Sequence, residues 1–481
     1  QSALRCSLSG CYNFAAGLCA LGSNWGGCHN TAIGCAALCS NTTGDRSTAI
    51  GTEALLCNTT GTDNTAIGLA ALYNNTTGYE NTAIGLRAMQ EHTTGNFNNA
   101  LGSLALYNSL SGNHNFAGGN RALCSNWGGC YNNAIGTNAL CANTTGSWNN
   151  AFGCGALLST TTGYGNVAVG NEPLRSNTTG VGNIGIGSTA LYANTTGNNN
   201  QAIGQNALYE NTTGCHNTAL GYSALKGSLS GDHNFAAGHC ALYSSWGGNN
   251  NVGIGDCALR CNTTGCKNVV IGQRGMIANT TGKQNIALGT HPLYLNTTGD
   301  DNIGIGADAL GNNTTGDDNV AIGDQALRKN TEGYNNFAVG GNALYCNTTG
   351  HSNVALGNTV LYCNSTGANN FGVGYEALRY NTTGDKNIAI GPAALAGVTT
   401  HDVTASCNIA FGVGAHRLAL SGGHNFAAGC NALYNNWSGC YNNAIGLCAL
   451  YSNTTGIYNT AIGYNALCAN TIGCNNTAIG Y

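Results

Sequence analysis

Sixteen asparagines stand in the context Asn-x-Ser/Thr at one place of a repeat: Asn41, Asn58, Asn75, Asn143, Asn177, Asn194, Asn211, Asn262, Asn279, Asn296, Asn313, Asn347, Asn364, Asn381, Asn436 and Asn453. In that context a side-chain amide accepts N-linked glycans. The same Asn-Thr-Thr-Gly string is also turn chemistry, because Asn and Gly tolerate left-handed backbone and Thr hydroxyls bond locally. The second reactive set is the cysteines, 24 in 481 residues. Their number points to an oxidising, extracellular setting, and none stands in a CxxC pair at zinc spacing. The third set is acidic. Asp300, Asp301, Asp317 and Asp318 cluster without a repeating His or Arg beside them, and His401–Asp402 is an isolated pair. Catalysis needs a convergent acid, base or metal set. The expectation is therefore no enzyme, no catalytic or metal residues and no cofactor.

What positions these residues is a period of 17. The glycine of Asn-Thr-Ala-Ile-Gly recurs from Gly17 through Gly68 and Gly85 to Gly391, then from Gly412 to Gly480, giving 28 copies. We number the copy Asn64–Glu80 (NTAIGLAALYNNTTGYE) as slots 1 to 17. A short fixed period filling a chain marks a repeat architecture. Seventeen residues are too few for a helical hairpin and suit one coil of a solenoid. With 74 Gly, 3 Pro and 7% charged residues, helix is disfavoured and ladder pairing favoured. The expected fold is all-β: a parallel β-solenoid (β-roll or β-helix) of 28 coils. It runs as one continuous solenoid over 1–481, with a four-residue insertion bulging as a loop near 398–406.

Slots 2–4 read as a strand, slots 7–10 as a second strand, and slots 12–15 as the turn. Large and small residues compensate across slots 2 and 4 (Phe14 with Ala16, Phe116 with Gly118), so both are expected in the core, closed by Leu at slot 9. Slot 3 is Ala almost throughout, with Gly at Gly185, Gly253, Gly304 and Gly372. That implies close packing of another backbone, either the opposite wall of a thin coil or a neighbouring subunit. Asn at slot 1 should stack into an amide ladder. Slots 6, 7, 10, 11, 16 and 17 vary, should face solvent, and hold all the cysteines.

Same-slot neighbours Cys11/Cys28, Cys124/Cys141, Cys240/Cys257 and Cys346/Cys363 would lie about 4.8 Å apart, within reach of a disulfide. Cys39/Cys57 is one slot off register. A competing set closes the turn within a coil: Cys6/Cys11, Cys124/Cys130, Cys261/Cys266 and Cys468/Cys474. The two sets share members and the connectivity stays open.

Four coil pairs depart together from Asn-Thr-Thr-Gly: Leu8 with Trp25, Leu110 with Trp127, Leu229 with Trp246, and Leu420 with Trp437. All eight residues fall in slot 13. They read either as bare apolar patches for lateral docking or ligand stacking, or as corner variants packed on slot-2 Phe.

The NTAIG-x-x-AL-x-x-NTTG unit resembles the repeats of bacterial and phage tail-fibre-domain proteins and, more loosely, the head β-rolls of trimeric autotransporter adhesins. The resemblance covers the whole chain. It implies an extended, often trimeric, extracellular fibre or adhesin. A formal charge of −4 offers no basic stripe for nucleic acid, and no apolar run approaches a membrane span. Gln1 and Tyr481 both fall in slot 6 without a polar cap. The chain is therefore expected to be mature or excised, and to stack head to tail with Cys468 beside Cys6 of the next copy. The expected function is a structural subunit of an extracellular or cell-surface, N-glycosylated filament. The partners are other copies, stacked head to tail, laterally or as trimers, and covalently attached glycans. The alternative is an adhesin or ice-binding solenoid.

Overall fold

The structure, a computed structural model, describes residues 9–398 and 403–481. Cys6, Leu8 and the His401–Asp402 pair lie outside them. The described residues form 28 strands of three residues each, and no helix. The chain divides into two compact units, Gln1–Cys240 with Ser245–Gly247, and Ala241–Ser244 with Gly248–Tyr481. The first holds β1 (Phe14–Ala16) to β14 (Phe235–Ala237) and the second β15 (Val252–Ile254) to β28 (Thr477–Ile479). Within each unit successive strands pair in parallel with a 17-residue offset, as in Thr65↔Thr82 and Ile286↔Ile303. Each unit is a parallel β-solenoid.

At the insertion β23 (Ile388–Ile390) pairs with β24 (Ile409–Phe411) at an offset of 409 − 388 = 21. Four residues are therefore accommodated without loss of register. The bulge is shorter than 398–406. Val403 bridges Asn381, and Val403 and Ala405 are buried, so the chain has already rejoined the coil there.

The strand at slots 2–4 faces the opposite way from the expectation. Slot 3 is the interior position: Ala66, Ala83 and Ala100 are fully buried. Slots 2 and 4 point outward. The restriction to Ala and Gly comes from the opposite wall of a thin coil. A Cβ on Gly185 would sit 3.3 Å from Leu174 Cγ, the slot-9 leucine of the preceding copy. Volume compensation is real on both faces. On the inner one, Val270 at slot 3 is matched by Gly275 at slot 8, and Val360 at slot 8 by Gly372 at slot 3. In each case an added Cβ would meet valine Cγ1 at 2.6 Å. On the outer one, the Phe116 ring covers Gly118.

Slots 7–10 form no strand. Ala71 and Leu72 are both fully buried although adjacent, which a strand's alternation forbids. The backbone achieves this with left-handed residues at slots 7 and 9, Ala70 at φ 52° and Leu72 at φ 54°, and repeats them copy after copy. Each such residue costs on the order of 1 kcal/mol. Inter-coil bonds hold the segment in place: Leu55 N–H donates to Ala71 O at 3.0 Å and Cys57 N–H to Tyr73 O at 3.0 Å. Glycine is required at slot 5. Gly306 has φ 131°, and a Cβ there would lie 2.5 Å from the Gly323 carbonyl oxygen.

Candidate functional site

The sixteen sequon asparagines are all fully buried, which corrects the expectation that slot 12 offers an amide outward. Asn75 Nδ2 donates to Asn58 Oδ1 of the preceding copy (2.8 Å) and to the Gly78 carbonyl of its own turn (3.0 Å). Asn313 does the same toward Asn296 and Gly316. A glycan is attached through this nitrogen, and here both of its hydrogens are engaged inside the coil. The folded turn has no outlet for the sugar. The sequon letters are instead those of an internal amide ladder. A second ladder runs along slot 1 as expected: Asn98 Nδ2 donates to Asn81 Oδ1 (3.1 Å) and to Gly112 O (2.8 Å). The two ladders converge on the slot-15 carbonyl. Asn64 and Asn75 both donate to Gly78 O.

Slot 16 varies, but where it carries a short acceptor that side chain accepts the slot-16 N–H of the preceding copy. Cys28 N–H donates to Asp45 Oδ1 (2.7 Å), Lys283 N–H to Asp300 Oδ1 (2.7 Å) and Asp300 N–H to Asp317 Oδ1 (2.8 Å). Cysteine sulfur fills the same place: Cys11 N–H lies 3.2 Å from Cys28 Sγ, and Asn113 N–H 3.4 Å from Cys130 Sγ. Short acceptors (Asp, Asn, Ser, Cys) recur there for this reason. Of the acidic cluster, Asp300 and Asp317 thus cap backbone N–H groups, while Asp301 accepts from Gln284 Nε2.

The cysteine candidates take different places. Cys11 with Cys28, Cys124 with Cys141, and Cys346 with Cys363 are neighbouring thiols. Cys39 is pushed up by burial and by neighbouring Cys19 and Cys35, while Cys57 is pushed up by burial alone. Cys240 belongs to the first unit and Cys257 to the second, and both are buried. Cys261, Cys266, Cys468 and Cys474 are at least partly exposed. The hydrogen bond from Cys124, helped by Arg121, holds Cys141 below the usual thiol range against its burial, and the same bond, with burial, drives Cys124 up.

The slot-13 indoles of Trp25, Trp127, Trp246 and Trp437 are 50–57% exposed, and Leu110 and Leu229 are exposed beside two of them. Leu420 is half-buried. Each patch accompanies a ring stack at slot 17, which the sequence reading did not single out. Tyr12–His29 goes with Trp25, and Phe97–His114–Tyr131–Trp148 with Trp127. His216–His233 goes with Trp246, and His424–Tyr441–Tyr458 with Trp437. Their centroids lie 4.2–5.0 Å apart with planes within 12°. One-residue-per-coil register makes any two aromatics at one slot stack.

Beside Trp127, Trp246 and Trp437 the slot-12 ladder is interrupted, whereas beside Trp25 Asn24 still accepts from Asn41. Ser109 and Ser228 replace Asn, and their buried hydroxyls have no protein partner among the described residues. Ala419 offers no polar atom at all. His92 takes slot 12 one copy before Ser109 and reaches Gly95 O through Nε2 (2.9 Å). His416 replaces the slot-9 leucine and meets Asn436 Nδ2 at 3.0 Å. Burial lowers both histidines, His416 to about 4.

Comparison with known proteins finds no family model and no curated protein that matches this sequence. The repeat solenoid is therefore defined by its own geometry. Among the described residues no helix is long and apolar enough to cross a membrane.

Proposed function

We propose that this chain is a structural subunit of an extracellular fibre, in which copies lie side by side through the outward face of the sheet. The observation that supports this is a rank of apolar slot-4 side chains in the first unit. Ile33, Ile50, Ile84, Leu101, Ile135 and Ile203 are each 37–43% exposed. A monomeric soluble protein rarely leaves so extended an apolar patch uncovered. Its side chains repeat once per coil, about 4.8 Å apart, and a second copy carries the matching repeat. End-to-end stacking belongs to the same reading, supported by the in-register pairing of neighbouring coils within each unit. The resemblance to tail-fibre-domain and adhesin-head repeats and the cysteine content support the extracellular setting. The fibre reading needs no glycan at slot 12.

The test is analytical ultracentrifugation of the full chain and of an Ile186→Lys/Ile203→Lys variant, with circular dichroism as the fold control. Concentration-dependent association lost in the variant supports lateral packing. A wild-type chain that stays monomeric, or a variant that associates equally, refutes it.

One observation favours a second reading, ice binding. Thr31, Thr48, Thr65 and Thr82 stand in register on the flat outward face, not only on the turn. Thermal hysteresis in a nanolitre osmometer decides it, and no hysteresis at millimolar protein removes it.

A further inference from the structure

Slot 10 carries a side chain in nearly every coil of the second unit, including Tyr294, Arg328, Tyr345 and Tyr362, and Gly311 breaks that rank. The missing side chain leaves a cavity of about 360 Å³ over Gly311, walled by Arg274, His291, Tyr294, Asp308, Asn312 and Arg328. That volume is in the range of small-molecule sites. All of these residues lie in one unit.

The charges in the walls do not cancel. Asp308 is shared by Arg328 (Nη2 to Oδ2, 3.7 Å) and His291 (Nδ1 to Oδ1, 3.8 Å). Arg328 also donates from Nη1 to the Tyr345 hydroxyl (3.1 Å) and is thereby fixed. Arg274 has no ion partner among the described residues and is exposed at the cavity edge. Two guanidinium groups against one carboxylate leave a positive cavity. Tyr294 and His291, edge to face with centroids 5.4 Å apart, add a ring-lined wall. Guanidinium is the side chain whose fork matches an oxyanion.

We propose that the Gly311 cavity binds a small molecule through an oxyanion group (carboxylate, sulfate or phosphate) held between Arg274 and Arg328, with its body against Tyr294 and His291. This site is separate from the apolar outer face and does not depend on the fibre reading.

Titration calorimetry of the full chain with inorganic sulfate, inorganic phosphate and glucuronate tests it. At least one should bind saturably, weakening as potassium chloride is raised, and the preferred probe identifies the source of the oxyanion. Arg274→Met should weaken binding at least tenfold. Gly311→Tyr should abolish it by filling the cavity with the side chain that slot 10 carries at Tyr294 and Tyr345. The nearest atoms to a Cβ there are those of the Asp308 backbone, its carbonyl oxygen at 3.1 Å, a contact that a small backbone shift relieves, so the variant is expected to keep the wild-type circular dichroism. Failure of all three anions to bind, or unchanged binding in folded Gly311→Tyr, overturns the proposal.

Discussion

Two stretches of the same repeat differ in what fills slot 12. From Asn262 to Asn381 eight consecutive copies carry Asn, and from Asn279 on each Nδ2 donates to the Oδ1 before it, as in Asn279→Asn262, Asn330→Asn313 and Asn381→Asn364. From His92 to Asn126 the ladder is interrupted by His92 and Ser109, and Asn126 Nδ2 reaches only its own turn at Gly129. The unbroken stretch keeps Thr or Ser at slot 13. The broken one exposes Leu110 and Trp127 there and stacks Phe97, His114, Tyr131 and Trp148 beside them. Ring stacks occur in both stretches, as at Tyr334–His351 and Tyr345–Tyr362 in the unbroken one, but the exposed slot-13 Leu and Trp belong to the broken one. In a solenoid each coil depends mainly on its neighbours, so a local defect is tolerated without unfolding the rest.

That contrast can be broken from either side. Asn313→Ala in the unbroken stretch removes two donors and leaves Asn330 Nδ2 without its acceptor. The expected loss is about 3 kcal/mol, read as faster amide hydrogen exchange in the coils on both sides. Acid should act on the interrupted stretches. His416 titrates near 4 when folded against an ordinary value of 6.5, so protons bind the open state first as pH falls. Its stabilising contribution is complete above pH 6.5 and is lost between 6.5 and 4. The full difference is about 3 kcal/mol. His416→Leu should flatten the pH dependence of exchange around Leu420, and His92→Asn should do so around Leu110.

Repair gives a smaller effect of opposite sign. Ser109→Asn restores a ladder amide and should add about 1 kcal/mol of local stability. A loss there would mean that the broken coil has relaxed around serine. Smallest in free energy but easy to read is thiol chemistry. Mass spectrometry after brief iodoacetamide treatment at pH 7 should find Cys141 alkylated ahead of Cys346 and Cys363, which burial pushes up. Cys124→Ser should slow it.

Much of this was legible in the sequence. The period, the parallel coil, the insertion and the slot-1 ladder all follow from spacing. What was not legible is which side of the strand faces in. Alternation separates two faces but does not label them, and the bulky Phe14, Phe116 and Ile67 marked the wrong one. The decisive residues were Ala66 and Gly185, whose smallness reflects Leu across a thin coil. The second wall was hidden for a different reason. Leu72 in a left-handed conformation is a tertiary outcome that no propensity announces. Asn75 shows a third limit, because a sequon and a buried ladder amide are written with the same letters.

On the proposed reading, the coil's apolar outward ranks, not its asparagine turns, join copies into a fibre. Sedimentation of wild type against Ile186→Lys/Ile203→Lys over a hundredfold concentration range tests it most directly. The account predicts a wild-type sedimentation coefficient that rises with concentration and a variant, equally folded, that stays at the monomer value. Overlapping profiles for the two proteins would contradict it.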